Sequence, residues 1–401
     1  MSPGADTRGN DASSPQPPPP PDGGTGPTGV ALPNPPTSYA VPSGTMVSNA
    51  KELSGALTDG TRGNVILANG TYAIGCLTNS DGDNIYAQNV GQAVLTGGIE
   101  EGSNSAADVT IQGVAIDITD SSDTCQGAAI DVWGSRVLHV LDTTITGHRA
   151  QGTQTVANGT FTGMVSSIDI GVLVPGYAGA DLERLVMTSF NTHAIRLWYN
   201  DNVPYGTAIH GADKVWDIKA TDVHGAQPGG DDGRTEQALF VGEPVTNGVQ
   251  RIQVSESFIG IQSVNNSYDT TFSDLTVDSP TDFQPSSAVY LEHFTEHDTF
   301  TRFYLTHTTH GFNCEWDDGT TGNAACHFDT ITNGTISAAG TSGSSYGIFL
   351  DQGTESVSIS GVTFVGQTTA AIGEQRILSE GTISGNSYSQ LAAGAKTVSS
   401  L

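Results

Sequence analysis

Basic residues are scarce in this chain. Lys and Arg together number 14 of 401 residues, against 42 Asp and Glu, and the formal net charge is -28. Because phosphate binding requires clustered Lys and Arg, nucleic acid and anionic membrane surfaces are excluded as partners. A polyanionic sugar is disfavoured for the same reason unless Ca²⁺ bridges the two, so a neutral or weakly charged partner fits the composition better.

Long apolar runs are also missing. No stretch approaches the roughly eighteen apolar residues of a membrane helix, and Met1 is not followed by the apolar core of an export signal. Pro, Gly and Ser dominate residues 14–36, which predicts a disordered linker over 1–40 in front of a folded domain over 41–401. Since such tethers usually follow a removed export signal or a lipid-anchored Cys, we expect a secreted or cell-surface protein whose precursor begins further upstream.

Cysteine is rare, with four residues at Cys76, Cys125, Cys314 and Cys326. They could form two disulfides, 76–125 and 314–326, the second closing a short loop. Cys314 could equally be a buried small apolar residue. The thiols are far apart in sequence, and His293 and His297, although four residues apart, lie among predicted strands and not on a helix, so a zinc site is not expected.

The chain is rich, instead, in one repeated five-residue pattern: a small residue, an apolar one, a variable one, usually a second apolar one, and a variable one. Neighbouring copies begin roughly 22 to 36 residues apart, and short alternating strands rich in Val, Ile, Thr and Phe precede them. This spacing predicts an all-β, single-stranded right-handed parallel β-helix of about ten coils. The clearest copies begin at Ala129, Ala194, Ala238, Gly260, Ala288, Gly311 and Gly347.

The segment in front of the repeats predicts a cap. Ser48–Leu57 has helical spacing, and Asn64–Ile74 reads as a strand with an Asn-Gly turn. This arrangement resembles the entry of pectin-lyase-like β-helix proteins, in which a short helix closes the open end of the stack. The resemblance implies the fold from about Ser48 onward, and a homo-oligomer such as a side-by-side trimer is open to that fold. The superfamily includes polysaccharide lyases, glycoside hydrolases, epimerases and esterases, so the fold does not name the reaction.

Known active-site patterns of the superfamily are matched only in part. Asp231 and Asp232 resemble the paired Asp of polygalacturonase-like hydrolases, but no Gly-His-Gly and no downstream Arg-Ile-Lys follows. The Lys and Arg pair of alginate-type lyases is not evident either, with four Lys in the chain. Asp231 and Asp232 lie in a Gly-rich loop, which makes them a second candidate for substrate binding or a solvated polar turn.

Outward positions of the repeat form columns along the surface. Side chains alternate along a strand, and equivalent residues of successive coils lie about 4.8 Å apart, so the third and fifth positions each become a ladder. The third-position ladder is predicted as Asp131, Arg196, Phe240, Gln262, Tyr290, Asn313 and Phe349. The fifth-position ladder is predicted as Trp133, Trp198, Gly242, Val264, Glu292, Glu315 and Asp351.

Three carboxylates are therefore predicted on consecutive coils. Like charges roughly 5 Å apart repel by a few kcal/mol at a surface-like dielectric, so one of them holds a proton or a cation lies between them. Glu292 and Glu315 would be about 5 Å apart, the separation of a retaining glycosidase pair, and Glu292 and Asp351 would be closer to the inverting separation. The alternative is that Glu292, Glu315 and Asp351 are solvated acids of an acidic protein.

Sugar-positioning residues are predicted on the same two ladders and beside them. Trp133 and Trp198 are candidates for stacking on sugar rings, or for packing beneath a loop. Arg196 could bind a substrate carboxylate or pair with Asp169, which lies in a further copy of the pattern that begins at Ser167. Tyr290 and His293 join them in a segment that also holds His297, Asp298, Arg302, His307 and His310.

The sequence thus predicts an exported enzyme that cleaves glycosidic bonds of a polysaccharide, with hydrolysis by paired carboxylates as the first interpretation and no cofactor required. Glu292, Glu315 and Asp351 are its expected acid, base or nucleophile. A Ca²⁺-assisted lyase or epimerase acting on uronates is the alternative, with Tyr or His as acid or base. A non-catalytic glycan-binding β-helix is the third.

Overall fold

The chain winds as a solenoid. The computed structural model describes residues 38–102, 108–132, 137–156, 159–175, 179–198, 214–226, 236–264, 267–279, 287–292, 295–315, 326–338, 345–351, 353–375 and 379–400. Their strands form two long parallel sheets, of twenty and twelve strands, in which hydrogen-bonded neighbours are successive passes of the chain. The predicted right-handed parallel β-helix is confirmed. Most of the predicted linker, residues 1–37, lies outside the described residues.

The described helical elements are α1 (Ala50–Ala56) and a 3₁₀ turn at Ser121–Asp123. The first strands are β1 (Thr45–Val47), β2 (Asn64–Leu67), β3 (Gly70–Tyr72), β4 (Leu77–Asn79), β5 (Asn84–Ala87), β6 (Ala93–Leu95), β7 (Ile99–Glu101), β8 (Val109–Gln112), β9 (Ala115–Ile118), β10 (Ala128–Val132), β11 (Val137–Leu141), β12 (Thr144–Gly147), β13 (Arg149–Val156), β14 (Gly159–Ser166), β15 (Ile170–Pro175), β16 (Gly179–Phe190), β17 (His193–Trp198) and β18 (Lys214–Val223). The remaining strands are β19 (Gln237–Val241), β20 (Val249–Ser257), β21 (Ile259–Val264), β22 (Thr271–Asp278), β23 (Ser287–Glu292), β24 (Thr295–Glu296), β25 (Thr299–Thr306), β26 (His310–Cys314), β27 (Cys326–His327), β28 (Thr330–Thr332), β29 (Thr335–Ser337), β30 (Tyr346–Leu350), β31 (Ser358–Ser360), β32 (Thr363–Val365), β33 (Ala370–Glu374), β34 (Ile383–Ser384), β35 (Ser387–Ser389) and β36 (Lys396–Ser400).

The five-residue repeat forms the twelve-strand sheet. That sheet contains β4, β7, β10, β15, β17, β19, β21, β23, β26, β30, β33 and β36. The small residue that opens each copy is required by packing: a Cβ at Gly311 would lie 2.4 Å from Ile336, and one at Gly347 would lie 2.3 Å from Phe364. The two apolar positions fill the interior, where Phe272 and Phe300 stack with ring centroids 4.5 Å apart.

More coils are present than the repeat predicts. Ten passes run from β8 to β34, as expected, but β4 and β7 add earlier ones. The repeat is hard to recognise there because its second apolar position is polar in both strands, as Asn79 and Glu101. Both side chains are fully buried, and the Asn79 amide donates to both Glu101 carboxylate oxygens at 3.0 Å. A buried hydrogen-bonded pair therefore replaces two apolar contacts.

The opposite, twenty-strand sheet is bent by a column of residues with positive φ. In six successive coils this column is an alternating ladder of acid and base, with φ between 52° and 58°. The carboxylates accept from the guanidinium groups at 2.5 to 2.8 Å, in three separate pairs. The alternating ladder consists of Asp142, Arg184, Asp217, Arg251, Asp274 and Arg302.

The N-terminal end carries the predicted cap, with the helix shortened to α1. Asn49 accepts from the backbone N–H of Glu52 at 3.0 Å, while Ser48 donates twice to the Glu52 carboxylate, and Leu53 is buried against the first coils. Tyr39, within the predicted linker, packs on Gly113 and donates to a carbonyl of the second coil. Among the described helices, none is long and apolar enough to cross a membrane.

Candidate active site

The three predicted carboxylates lie on consecutive strands of the twelve-strand sheet. Val264 pairs with Glu292, the N–H of Glu315 donates to Leu291 O at 3.0 Å, and the N–H of Asp351 donates to Cys314 O at 2.9 Å. We call Glu292, Glu315 and Asp351 the carboxylate ladder. The structure places it as the repeat predicts, at the ends of β23, β26 and β30.

The predicted third-position ladder is also present, with one insertion. Arg196, Phe240, Gln262, Tyr290, Asn313 and Phe349 are in register on successive strands. The strand pairing puts Leu173 of β15 between Asp131 and Arg196, and the ladder predicted from the sequence did not include this residue. The copy in β15 begins at Gly171, four residues later than the pattern read at Ser167, because Ser167 and Asp169 belong to the preceding corner.

Amide side chains hold the carboxylate ladder in place. Gln262 Nε2 donates to Glu292 Oε2 at 2.6 Å, and Asn313 Nδ2 donates to Glu315 Oε2 at 2.9 Å. The Tyr290 hydroxyl forms a further hydrogen bond with Glu315. The sequence predicted Gln262 and Asn313 as members of the third-position ladder but gave them no functional role. The sequence feature that could have identified them is the presence of amide side chains in the column directly beside the acids.

Glu315 is the most perturbed member of the ladder. Burial raises the pKa of its carboxyl, and the negative charges of Glu292 and Asp351 raise it further, whereas the hydrogen bonds from Tyr290 and Asn313 act in the opposite direction. The protonated form of Glu315 is therefore retained to higher pH than in a free glutamic acid. A carboxyl with this property can donate a proton to a leaving oxygen.

A hard cation would find suitable donors in the same place. Calcium prefers carboxylate and amide oxygens, and Asn313 Oδ1 is buried beside Glu315 without a hydrogen-bond partner among the described residues. The donor types thus fit Ca²⁺. Within the described ranges, however, no three His, Cys, Asp or Glu side chains lie close enough together to hold a metal ion.

The residues predicted to position sugar lie further along the same face. The guanidinium of Arg196 lies 4.5 Å from the ring centroid of Trp198 and 5.4 Å from that of Phe240. Trp198 is 40% exposed, so its ring is available for stacking. It occupies the same column as Glu292, three coils earlier, which corresponds to about 14 Å.

The predicted Arg196–Asp169 pair is wrong. Asp169 accepts from Asn191 Nδ2 at 2.8 Å and lies at the corner before β15, whereas Arg196 is outward in β17. The misplaced repeat copy caused this error, because it placed Asp169 on the sheet.

Most of the polar segment after Tyr290 does not belong to the site. Asp298 is fully buried in the next corner, Arg302 pairs with Asp274 at 2.8 Å, and His307 contacts Asp278 at 2.7 Å on the other sheet. His310 does lie on the site sheet. Its imidazole stacks on Tyr346 at 5.7 Å, and burial lowers its pKa to about 4, so it is neutral at neutral pH.

Four of the predicted site residues, Trp133, Asp231, Asp232 and His293, lie outside the described residues.

Both disulfides considered from the sequence are present, Cys76–Cys125 and Cys314–Cys326. The second bond joins the residue before Glu315 to β27, so it fixes the strand end that carries the acid. Cys314 is at the same time fully buried, as the alternative interpretation required.

No protein-family model matches the chain, and no curated protein does. Solved structures do resemble it at low identity. A PL6 alginate lyase in complex with a trisaccharide is 12% identical, with a TM-score of 0.41 over 84% of this chain and 88% of the other. An alginate lyase from Paenibacillus sp. str. FPU-7 is 8% identical, with a TM-score of 0.30 over 86% and 97%. A PL6 family polysaccharide lyase from Pseudopedobacter saltans is 11% identical, with a TM-score of 0.31 over 88% and 92%. By its own strand order and pairing, the chain has the right-handed parallel β-helix fold that its repeats predict.

Proposed function

We propose that this protein degrades a polysaccharide at the carboxylate ladder. The observation that carries the proposal is the position of Glu315, which is held by Tyr290 and Asn313 between two further acids and whose pKa is raised. A folded chain has no structural need for three stacked carboxylates, because their repulsion opposes folding. Glycosidic bond cleavage does require a carboxyl that keeps its proton, or a cation held by carboxylates, next to the reacting sugar.

Two reactions can use this arrangement, and they differ in the occupant of the ladder. A proton on Glu315 supports hydrolysis, whereas a cation among the carboxylates requires Glu315 to be ionised. Protons and Ca²⁺ therefore compete for the same oxygens.

We favour β-elimination on a uronate-containing polysaccharide. Asn313 Oδ1, which has no hydrogen-bond partner in the described part of the chain, adds a neutral oxygen to the three acids, which is the donor mixture that Ca²⁺ takes. Because no three acids of the described residues lie close enough together to hold a metal ion by themselves, Glu315 and Asn313 would hold it together with oxygens of the substrate. The ion when bound would offset the negative charge of the face and of a substrate carboxylate. Tyr290, which is hydrogen-bonded to Glu315, would pass a proton to the glycosidic oxygen, and a second Tyr or a His would remove the proton at C5.

Hydrolysis is the second candidate, favoured by the raised pKa of Glu315. In this case Glu315 protonates the glycosidic oxygen, and Glu292 or Asp351, each one coil away at about 5 Å, acts as nucleophile. The acidity of the face suits a neutral sugar without any cation.

One assay separates the two reactions. Neutral and uronate polysaccharides are incubated with the wild type, Glu315→Gln and the control Glu100→Gln, an outward acid of the same sheet far from the ladder. Reducing ends and the ultraviolet absorbance of unsaturated uronate are measured, with and without EDTA. Absorbance that EDTA and Glu315→Gln both abolish supports elimination, and reducing ends without that absorbance support hydrolysis. Equal loss in both variants, or no product on any polysaccharide, contradicts the proposed function.

A further inference from the structure

A second candidate site lies at the corners that precede β10 and β15, in the N-terminal half of the twelve-strand sheet. There an inserted hairpin, β13 and β14, pairs antiparallel, whereas every other strand pairing between the described strands is parallel. It is an addition to the solenoid and makes no rung of either long sheet. Such an insertion requires another explanation than the fold.

The hairpin is firmly fixed across the neighbouring coils. Arg149 Nε donates to both carboxylate oxygens of Asp222 at 2.7 and 2.8 Å, and its Nη2 donates to the carbonyl oxygens of Phe190 and His224 at 3.0 Å. Gly163 lies so close that a Cβ there would be 2.1 Å from Ala226 O. A loop held this tightly forms a rigid wall.

Beneath this wall lies a cavity of about 350 Å³. Its size is at the lower end of the range for small-molecule pockets. Val165 supplies an apolar side, and the other lining groups are mostly hydroxyl, amide and carboxylate. The lining residues are Ser121, Thr124, Gly127, Thr153, Gln154, Val165, Ser166, Ser167, Asp169 and Asn191.

Two of the polar groups in the cavity are oriented by the protein itself. Asn191 Nδ2 donates to Asp169 Oδ1 at 2.8 Å and so fixes the carboxylate. Gly127 provides space beside it, since a Cβ there would lie 3.1 Å from Asp169 Oδ2. Gln154 is likewise fixed, because its Oε1 accepts from the N–H of Ala226 at 2.8 Å. Fixed polar groups on a small cavity are a feature of binding sites.

We infer that this cavity binds a single neutral pyranose, independently of the carboxylate ladder. A pyranose offers adjacent hydroxyls to a carboxylate and amides, and a C–H face to an apolar side chain such as Val165. The described lining contains Asp169 but no Lys, Arg or His, so a uronate would meet a like charge without a counter-ion. The site therefore selects neutral sugars, whatever the ladder acts on.

The test uses methyl glycosides of glucose, galactose and mannose, with methyl glucuronide as the charged comparison, and ligand-observed NMR followed by calorimetry. Val165→Trp fills the cavity from the hairpin. Thr162→Trp is the matched control, because Thr162 lies on the same strand with its side chain on the opposite face of the hairpin from that of Val165, and it is not part of the lining. Glu315→Gln controls for binding at the ladder.

We expect one or more neutral glycosides to bind at about millimolar Kd, methyl glucuronide to bind at least about tenfold more weakly, and Val165→Trp to weaken binding about tenfold or more. Thr162→Trp and Glu315→Gln should bind as the wild type does. The inference is overturned if no neutral glycoside binds the wild type, if Val165→Trp leaves binding unchanged, or if Glu315→Gln removes it. The last result would place the sugar at the ladder.

Discussion

Two columns of ionisable residues run along this solenoid at the same spacing, and they differ in sign pattern. The alternating ladder on the twenty-strand sheet reads acid, base, acid, base through six coils, from Asp142 to Arg302. The carboxylate ladder on the twelve-strand sheet carries acids on three successive coils. Because the distance between neighbours is about 4.8 Å in both, the sign pattern alone decides whether neighbours attract or repel.

The pKa values show the consequence. In the alternating ladder, hydrogen bonds to Asp217 and Asp274 raise the pKa of Arg251 and of Arg302, so the charged forms are stabilised. In the carboxylate ladder burial raises the pKa of Glu315, and the charges of Glu292 and Asp351 raise it further, which disfavours its charged form. The first column stabilises the fold, whereas the repulsion in the second opposes it, and under the proposed function that repulsion serves to hold a proton or a cation.

The alternating ladder also holds backbone that is otherwise unfavourable. Its members have positive φ without being Gly, which costs on the order of 1 kcal/mol or more per residue. Glycines take the same place near the end of the column, at Gly361 and Gly385. The ion pairs therefore keep a bend that glycine provides elsewhere.

The largest effect is expected when one acid of each column is substituted and the activity and the free energy of unfolding of the two variants are compared. Glu315→Gln should lower activity by about 10²- to 10⁴-fold without lowering the free energy of unfolding, because it removes a repelled charge. Asp217→Asn should leave activity unchanged and cost about 2 kcal/mol, because Arg251 loses its charged partner. Steady-state kinetics and urea unfolding of both variants measure this. A Glu315→Gln protein that is less stable and equally active would reverse the assignment of roles.

A substitution that gives the alternating ladder three successive acids, as in the carboxylate ladder, should lower the free energy of unfolding by about 3 kcal/mol. Arg251→Glu places three acids in succession on the twenty-strand sheet and removes the partner of Asp217, whose side chain is 8% exposed. Unfolding in urea should show the cost at pH 7 and a smaller cost at pH 4.5, where protonation relieves the repulsion. Arg251→Gln is the control, because it removes the pair without adding a charge and should cost less. Equal costs for the two variants at pH 7 would show that sign pattern does not matter.

The sequence carried enough information for the repeat but not for its exceptions. Strand alternation and coil spacing placed Glu292, Glu315 and Asp351 correctly, because register in a parallel stack follows from the apolar positions. The repeat pattern did not reveal β4 and β7, where Asn79 and Glu101 take the place of apolar residues and pair with each other. Such pairing is a tertiary contact between coils and leaves no local pattern.

Corners could not be predicted for a related reason. Asp169 was read as a strand residue, and Asp298 was grouped with the site although it is buried in a corner. Corner residues have no period, since each is fixed by its own hydrogen bonds. Nor does the sequence show that the hairpin from β13 to β14 folds over the solenoid.

A buried pair of acids shows how the pKa values respond when two carboxyl groups are stacked away from solvent. Asp298 and Asp329 occupy successive coils and are fully buried, and the backbone N–H of Asp298 donates to Asp329 Oδ1 at 2.8 Å. Burial raises the pKa of Asp298 to about 7, and burial with the charge of Asp298 raises that of Asp329.

Because both folded-state pKa values are raised, the stabilisation is full below the unfolded value near 4 and falls as pH rises to about 7. Asp298→Asn should therefore flatten the loss of unfolding free energy between these pH values. Glu256→Gln, which removes an exposed acid of the twenty-strand sheet away from the buried pair, should keep the wild-type slope. Urea titrations at successive pH values measure the difference, and parallel slopes for all three proteins would mean that the buried pair does not titrate in this range.

The smallest effect is expected at Trp198, which lies in the same column as the three acids, and its prediction depends on the proposed function. A glycan lying along the coils reaches both Glu315 and Trp198 only if it spans four coils, about 19 Å, since each coil adds about 4.8 Å. Trp198→Ala should therefore lower kcat/KM about tenfold on long oligosaccharides and leave short ones unchanged, because stacking on the exposed ring is lost only for chains that reach it. Trp216→Ala is the control, since that indole lies on the other sheet against Lys214 and Arg251. If Trp198→Ala slows short and long substrates equally, the ring acts through the fold, and the outward column is not a continuous binding surface.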